Sequence, residues 1–310
     1  MVLFVTGLCK RKCFYCPLSE KKSMKDVIYA NERPIEKSEE IVEEARTMRA
    51  LGTGITGGEP LLVLERTLDF MKLLKKEMGE KHHIHLYTTE TVNKPLAEEL
   101  HSAGLDEIRF HIKGRTKNYL KSVESSKEAG MSAGVELPAI PGCKDRMIEA
   151  TELNIDFLNL NELEFADLNY SKMLARGMES INGISAVGSS SVAREVKKHS
   201  RVPVNFCSSW FKDGVQLRRR LLRTAHNVAK SYERVSRDGT LLIGMIENCD
   251  LNAARKLFAD FEVREGKIYT DPVVLKRVAQ RLPPAAVAYV SEVYPTWDSL
   301  EVEREYIKDL

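Results

Sequence analysis

The stretch Gly7-Leu-Cys-Lys-Arg-Lys-Cys-Phe-Tyr-Cys-Pro-Leu18 places the thiols of Cys9, Cys13 and Cys16 in one short segment with C-x3-C-x2-C spacing. Three sulfurs so close together can hold three irons of a cubane [4Fe–4S] cluster and leave the fourth iron without a protein ligand. Structural zinc usually takes four ligands in two C-x2-C pairs, and the sequence has no second pair. The other cysteines are scattered, which disfavours a disulfide framework. The spacing therefore favours an iron–sulfur cluster, with zinc or inert thiols as alternatives.

A second motif, Thr56-Gly57-Gly58-Glu59-Pro60, follows a short apolar segment further along the chain. Its two glycines allow a backbone to approach a ligand closely, and the carboxylate that follows can accept charge-assisted hydrogen bonds from an ammonium group. Alone, the motif would indicate no more than a glycine turn that caps a helix.

Together the two motifs resemble the signature of the radical S-adenosylmethionine (SAM) superfamily, and the resemblance covers about residues 1–200. It implies that Cys9, Cys13 and Cys16 are the cluster ligands and the catalytic residues. It also implies that the amine and carboxylate of SAM bind the open iron, and that the segment Gly57, Gly58, Glu59 and Pro60 holds the SAM amino group.

The hydrophobic periodicity alternates between strand and helix. Strands are predicted at 2–6, 53–56, 84–88, 107–113, 133–140 and 157–165, and helices at 38–49, 64–78, 94–102 and 117–129. This alternation predicts parallel βαβ units. Six units match the partial (β/α)6 TIM-type barrel that the resemblance implies. The predicted fold class is therefore α/β, with a small α+β module at the C-terminus.

In such barrels the chemistry lies at the carboxyl ends of the strands. Polar side chains near these ends are Thr88, His111, Lys113, Glu136 and Asn161. By resemblance they contact the ribose hydroxyls and the carboxylate of SAM, while Tyr15 and Ile140 lie around its adenine. For each single residue, the alternative is a polar group that lines the barrel and is satisfied by a neighbour.

Three regions are predicted: a core barrel (1–200), a connecting strand and basic helix (201–231), and an α+β module (232–310) that ends in an acidic helix. The helix predicted at 211–230 carries Arg218, Arg219, Arg220 and Arg223. It presents either a solvated cationic face or a surface for tRNA or another phosphorylated partner. The net charge of +2 and the lack of interleaved aromatics make nucleic acid the less favoured alternative.

Lys10, Arg11 and Lys12 lie inside the cysteine segment. Cations there stabilise thiolates and a reduced cluster, and they could dock an acidic ferredoxin or flavodoxin. The alternative is a solvated loop. No apolar run is long enough for a membrane span, so no membrane partner is expected, and an oxygen-labile cluster favours the cytoplasm. Cys143, Cys207 and Cys249 are interpreted as small hydrophobic residues, with an auxiliary metal site as the alternative.

The resemblance thus implies an enzyme that cleaves SAM reductively to a 5'-deoxyadenosyl radical, which abstracts hydrogen from a small-molecule or peptide substrate. Ile140-Pro141-Gly142, the short approach to the cysteines and the chain length resemble the activating enzymes of pyruvate formate-lyase. The C-terminal module departs from that pattern. A non-catalytic metal-binding or redox-sensing protein on the same barrel is the alternative from another class.

Overall fold

The structure is a computed structural model that describes residues 1–307. The chain divides into two compact units. The first comprises Met1–Arg46 and Ala50–Asp213, and the second comprises Thr47–Arg49 together with the chain from Gly214 onward. The last part of the predicted C-terminal module, 308–310, lies outside the described residues.

The strands of the first unit are mostly short. They are β1 (Val2–Phe4), β2 (Tyr29–Ala30), β3 (Arg33–Pro34), β4 (Gly52–Thr56), β5 (His83–Thr88), β6 (Glu107–Phe110), β7 (Ser132–Ala139), β8 (Phe157–Glu162), β9 (Ser180–Ile181), β10 (Ser185–Ala186) and β11 (Val204–Cys207). Parallel pairing gives the order β11-β8-β7-β6-β5-β4-β1, and the antiparallel strands β2 and β3 extend the β1 edge. Within residues 1–307 the sheet is open, because β11 and β3 are not paired with each other. The predicted α/β class with parallel strands is confirmed.

The helices up to residue 200 connect these strands. They are α1 (Glu39–Thr47), α2 (Leu64–Met78), α3 (Lys94–Ser102), α4 (Leu120–Glu128), α5 (Lys144–Ala150), α6 (Tyr170–Leu174) and α7 (Ser189–His199). The bounds of α2 and α3 agree with the sequence prediction. Asn93 begins α3 by accepting a hydrogen bond from the backbone N–H of Leu96, which is a typical N-cap. The sequence analysis missed α5, α6 and the two small hairpins β2–β3 and β9–β10.

The sheet has one parallel strand more than the six that the sequence predicted. Strand β11, which the sequence analysis assigned to a connecting segment, pairs in parallel with β8 and belongs to the first unit. Helix α7 packs against β7 and β8 and returns the chain to this edge of the sheet. Strand β6 is shorter than predicted and ends at Phe110, so His111 and Lys113 follow the strand.

The two faces of the parallel sheet differ in polarity, because successive side chains of a strand point to opposite faces. One face carries fully buried apolar side chains such as Ile84, Leu86 and Ile108, and helices pack against this sheet. The opposite face carries polar side chains that the register places side by side, including Tyr87 beside Arg109 and Glu136 beside Asn159. One face of the parallel sheet, its polar interior face, therefore carries groups that can take part in binding or chemistry.

The second unit is an antiparallel sheet with helices. Its helices are α8 (Arg218–Val228), α9 (Leu251–Leu257) and α10 (Pro272–Val278), and its strands are β12 (Arg234–Val235), β13 (Leu241–Glu247), β14 (Phe261–Arg264), β15 (Lys267–Thr270), β16 (Val287–Val293) and β17 (Glu301–Tyr306). The strand order is β14-β15-β13-β16-β17, and β12 pairs with β13. Ile246, Phe258 and Leu275 belong to its core.

One prediction for the C-terminal part is wrong, and a second differs in the type of helix. The predicted terminal acidic helix is β17, which pairs with β16, because backbone pairing outweighs the helix propensity of Glu and Arg. Its side chains are exposed, and a charged edge strand resists pairing with other chains. The segment predicted as a helix at 211–230 is helical from Phe211 to Val228, but its first part, Phe211–Leu217, is π-helical and precedes α8.

Candidate active site

The cysteine loop and the Gly57-Gly58-Glu59 segment meet through their backbones. Each follows a strand, β1 or β4, and these two strands are parallel neighbours. The N–H of Gly58 donates to the Thr6 carbonyl at 2.7 Å, and the N–H of Glu59 donates to the Leu8 carbonyl at 2.8 Å. A Cβ on Gly58 would lie 2.2 Å from the Leu8 oxygen. The missing side chain therefore allows this segment to pack against the start of the cysteine loop.

Glu59 is buried, and protein donors satisfy both of its carboxylate oxygens. Oε1 accepts from the Thr88 hydroxyl at 2.7 Å and from the Leu61 N–H at 3.2 Å. Oε2 accepts from the N–H and the hydroxyl of Thr89, both at 2.7 Å. All of these donors are neutral groups, and they hold the carboxylate at the end of β4. Glu59 also caps the 3₁₀ helix Pro60–Val63 that follows it.

The three cysteines lie in the loop after β1 and are partly exposed thiols. Burial raises the pKa of the Cys9 thiol, and the negative charge of Glu59 raises it further. In the part of the chain that the structure describes, the three cysteine sulfurs are not all within 4.8 Å of one another. A single tetrahedral ion needs such a compact group, whereas a cubane spreads its thiolates over separate irons. The donor set and its spread are therefore compatible with the cluster.

Tyr15, His111 and Lys113 form a hydrogen-bonded chain beside this loop. Burial, then the charge of Lys113, lowers the pKa of His111 to about 3, so its imidazole is neutral. Nδ1 lies 3.1 Å from the Glu136 carbonyl, which can only accept, so Nδ1 carries the proton. Nε2 then accepts from the Tyr15 hydroxyl at 2.8 Å, and Lys113 donates to the same hydroxyl. Burial raises the pKa of Tyr15, so the phenol stays protonated.

Glu136 is the centre of a polar network in the interior of the sheet. Its Oε1 accepts from Asn161 at 2.7 Å, and its Oε2 accepts from Arg109 at 3.1 Å and from Asn159 at 3.2 Å. Arg109 also donates to the Tyr87 hydroxyl at 2.8 Å. The structure thus brings Glu136 and Asn161 together, while the network joins β5, β6, β7 and β8.

Ile140 follows β7 and packs with Phe14 and Tyr15 against a small apolar cluster. Every residue that the sequence analysis selected thus lies near the carboxyl ends of the parallel strands or inside the sheet. The contributors that the sequence analysis missed include Arg109 and Asn169. Arg109 is two positions from both Glu107 and His111, so the alternation of polar residues was a signal present in the sequence. Buried Asn169, which donates to the Tyr15 carbonyl at 3.1 Å, follows no strand directly and has no such signal.

Comparisons with known proteins identify the family of this chain. The radical SAM superfamily matches residues 3–152. A protein of Methanocaldococcus jannaschii, provisionally named a glycyl-radical enzyme activating enzyme, is 42% identical over 334 aligned residues, which cover 98% of this chain and 88% of the relative. The chain belongs to the radical SAM superfamily. The predicted similarity to activating enzymes is also confirmed.

One further family model and several solved structures also match the chain. A domain of unknown function (DUF8061) matches residues 239–307. SuiB of Streptococcus suis bound to S-adenosylmethionine has a TM-score of 0.45 and 14% identity, over 70% of this chain and 52% of SuiB. The radical SAM enzyme HemN, coproporphyrinogen III oxidase of Escherichia coli, has a TM-score of 0.40 and 9% identity, over 94% of this chain and 65% of HemN. The chain thus spans about half the length of SuiB.

Membership of the superfamily establishes the class of the protein. It is a radical SAM enzyme, and its cofactors are a [4Fe–4S] cluster and SAM. None of the helices in residues 1–307 is both long enough and apolar enough to span a bilayer.

Proposed function

We propose that this enzyme holds its cluster through Cys9, Cys13 and Cys16, and uses it to generate a radical that abstracts a hydrogen atom from a glycine of a partner protein. The observation that carries the cofactor assignment is the backbone docking of the cysteine loop against Gly57-Gly58-Glu59. When bound, the cluster supplies one electron to SAM, which yields methionine and a 5'-deoxyadenosyl radical.

The chain's own residues position these groups. Glu59 keeps a buried negative charge beside the cysteine loop, which favours the methionyl ammonium of SAM at this place. Thr88 and Thr89 hold that carboxylate by hydrogen bonds. The phenol of Tyr15, fixed by His111 and Lys113, orients the loop segment that contains Cys13 and Cys16. Ile140, beside Tyr15, offers an apolar surface for adenine.

The polar interior is suited to an extended peptide, because side-chain amides and carboxylates can form hydrogen bonds with the backbone of the peptide. Glu136, Asn159 and Asn161 offer such groups across two neighbouring strands. The relative's name indicates a protein substrate for that relative, and the alignment includes most of this chain. A free small molecule is the other substrate class that this interior could accept.

Exposed apolar side chains support a protein partner. A group of them lies in the segments that follow β8 and β11, and comprises Tyr170, Leu174, Ile181, Ile184, Val187, Trp210 and Phe211. Ser185 in the β9–β10 hairpin lies 3.1 Å from Ser209, hydroxyl to hydroxyl, which brings the hairpin beside Trp210. Exposed apolar groups in such number are typical of an interaction surface.

Electrons would enter at the cysteine loop. Lys10, Arg11 and Lys12 are exposed there, and an acidic ferredoxin or flavodoxin is the complementary donor. Such an oxygen-labile cluster also favours a cytoplasmic enzyme.

The test begins with anaerobic reconstitution, followed by dithionite reduction with SAM. We expect about four irons per chain and formation of methionine and 5'-deoxyadenosine. Cys13→Ala should lose both the cluster absorption and SAM cleavage, whereas Cys143→Ala, a cysteine outside the loop, should keep both. An intact protein that forms no methionine would instead favour the non-catalytic, redox-sensing alternative.

The substrate is tested with a glycyl-radical enzyme labelled with deuterium at its glycines. Deuterium transfer to 5'-deoxyadenosine and a glycyl radical signal are expected. Trp210→Ala should weaken this partner-dependent reaction without changing SAM cleavage in the absence of partner. The matched control is Trp297→Ala, since Trp297 is also exposed but lies in the second unit. Equal effects of the two substitutions would remove the support for a protein substrate at this surface.

A tRNA or other phosphorylated substrate is less favoured. Arg223 donates to the Met48 carbonyl at 2.7 Å, and Arg218 donates to Asp238 and to the Arg237 carbonyl. These contacts within the second unit occupy two of the four arginines of the basic helix. Binding of tRNA that falls steeply with salt, and that is lost when Arg218 and Arg219 are changed to Glu, would reverse this preference.

A further inference from the structure

Two histidines and a glutamate lie together at the amino ends of strands β5 and β6. His83 and His85 are two positions apart in β5, so their side chains share a face of the sheet. The parallel register places Glu107, the first residue of β6, directly beside His85. Pairing between strands therefore assembles three side chains that commonly bind metal ions.

The distances bring their donor atoms into one small volume. One ligand atom from each of His83, His85 and Glu107 lies within 4.8 Å of the other two. Nε2 of His83 is 3.9 Å from Oε2 of Glu107. The neighbouring strand β4 has Gly54 opposite His85, and a Cβ on that glycine would lie 2.5 Å from Nε2 of His85. The absence of a side chain at Gly54 therefore leaves room for the His85 imidazole.

Further polar groups lie beside the three side chains. The Asp106 carboxylate lies 4.0 Å from Nδ1 of His83, on the ring nitrogen that does not face Glu107. Arg109 donates to Oε1 of Glu107 at 2.5 Å and leaves Oε2 facing His83. The Tyr87 hydroxyl lies 3.2 Å from Nε2 of His85. A carboxylate that accepts a hydrogen bond from the second ring nitrogen is typical of the outer shell around metal-bound histidine, and a shift of about 1 Å would bring Asp106 into that position.

This group is separate from the cofactor site. The cysteine loop and Glu59 follow the carboxyl ends of their strands, whereas His83 and Glu107 are the first residues of theirs. At about 3.3 Å per residue, the length of β5 separates His83 from Thr88 by roughly 16 Å. In barrels with this arrangement, the amino ends of the strands serve stability and the carboxyl ends serve chemistry.

We propose that His83, His85 and Glu107 bind one zinc-type divalent ion, with water as the fourth ligand, and that this ion fastens β5 to β6. Two imidazoles, one carboxylate and water form a tetrahedral ligand set that suits Zn²⁺. In a tetrahedral site with Zn–N and Zn–O bonds of about 2 Å, the distances between ligand atoms are shorter than those found here. The ligand atoms must therefore approach one another by about 1 Å. His83 can make this adjustment, because its side chain is 48% exposed.

The first measurement is the metal content of the cluster-reconstituted, full-length enzyme after dialysis against buffered zinc. We expect one zinc per chain in addition to the iron of the cluster. His83→Ala and Glu107→Gln should each raise the zinc dissociation constant about tenfold or more. His199→Ala is the matched control, because His199 is an exposed histidine at the end of α7. Reductive SAM cleavage should be the same in His83→Ala and in the unmodified enzyme.

A second measurement identifies the ligands. In the full chain with Cys9, Cys13 and Cys16 changed to Ser, added Co²⁺ should give a visible d–d band without a thiolate charge-transfer band. The band should disappear in His85→Ala, while circular dichroism verifies that this variant is folded. If zinc binding is equal in the unmodified enzyme, His83→Ala and Glu107→Gln, or if no stoichiometric zinc is retained, the proposed site is refuted.

Discussion

At the scale of single residues, Glu59 has both a structural role and an electrostatic role. Its carboxylate fastens the end of β4 to the end of β5, and its charge lies beside the cysteine loop. Glu59→Gln keeps the shape of the side chain, removes the charge and turns an acceptor into a donor that faces Thr89. Both the affinity for SAM and the stability of the first unit should therefore fall.

We expect Glu59→Gln to retain the cluster and to weaken SAM binding by about 1.5–3 kcal/mol, the usual contribution of a hydrogen bond to a charged group. Calorimetric titration of SAM into the reconstituted enzyme measures this change. Glu65→Gln is the control, since Glu65 is an exposed residue of α2. An unchanged SAM affinity in Glu59→Gln would limit the role of Glu59 to the structure of the turn.

His111 predicts a pH dependence of stability. Its folded-state pKa of about 3 lies below the ordinary histidine value of 6.5, because burial and Lys113 disfavour the charged form. The unfolded chain therefore binds more protons than the folded chain between these values. The stability that depends on neutral His111 is complete above about pH 6.5 and is lost as the pH falls.

Urea unfolding between pH 7 and pH 5 measures this effect. The free energy of unfolding should decrease over this range, and the decrease should be smaller in His111→Phe. It should not vanish, because His82 and His85 also have lowered pKa values. Identical pH profiles for the two proteins would contradict the assignment. Carboxylates with lowered pKa values act mainly at lower pH, so they do not obscure the comparison.

At the scale of elements, the contact between β7 and β8 depends on a residue without a side chain. Gly134 is beside Phe157 in the register, and a Cβ on Gly134 would lie 2.2 Å from the Phe157 ring. The ring therefore occupies the space above the glycine, where it also lies 5.7 Å from the Arg109 guanidinium.

Gly134→Ala should lower the free energy of unfolding by about 1–3 kcal/mol through overpacking. Combining it with Phe157→Leu should recover part of this loss, because the smaller side chain makes room for the methyl group. Denaturant unfolding of the two single variants and the double variant measures the coupling between the positions. Strictly additive effects would mean that the ring and the glycine do not share this space.

At the scale of the whole molecule, the positive charges of the cysteine loop are expected to guide the docking of an acidic electron donor. Changing Lys10 and Lys12 to Glu should slow SAM cleavage supported by reduced flavodoxin and should reverse the effect of salt on its rate, because attraction to an acidic donor is replaced by repulsion, which salt screens. Cleavage supported by dithionite, a small reductant, should change much less. The pair Lys197 and Lys198 at the end of α7, changed to Glu, is the control. An equal loss with both reductants would indicate damage to the cluster and not to docking.

Much of this architecture can be predicted from short stretches of the sequence. The cysteine spacing, the glycine pair and the strand–helix alternation are short-range patterns, so the sequence alone indicated the α/β class, the superfamily and the bounds of α2 and α3. The seventh parallel strand and β17 were not predicted correctly. Whether 204–207 joins the main sheet, and whether 301–306 is a strand, depends on backbone partners that are distant in the chain.

The sequence by itself determined which residues are proposed to carry the chemistry, because the proposal rests on the identity and spacing of Cys9, Cys13, Cys16 and Glu59. Only the tertiary structure decided which of these groups meet. Parallel pairing of β1 with β4 docks Gly58 against the cysteine loop, and the register of β5 with β6 places His85 beside Glu107. Register is a relation between distant segments, set by the packing of whole strands, and no short stretch of sequence contains it.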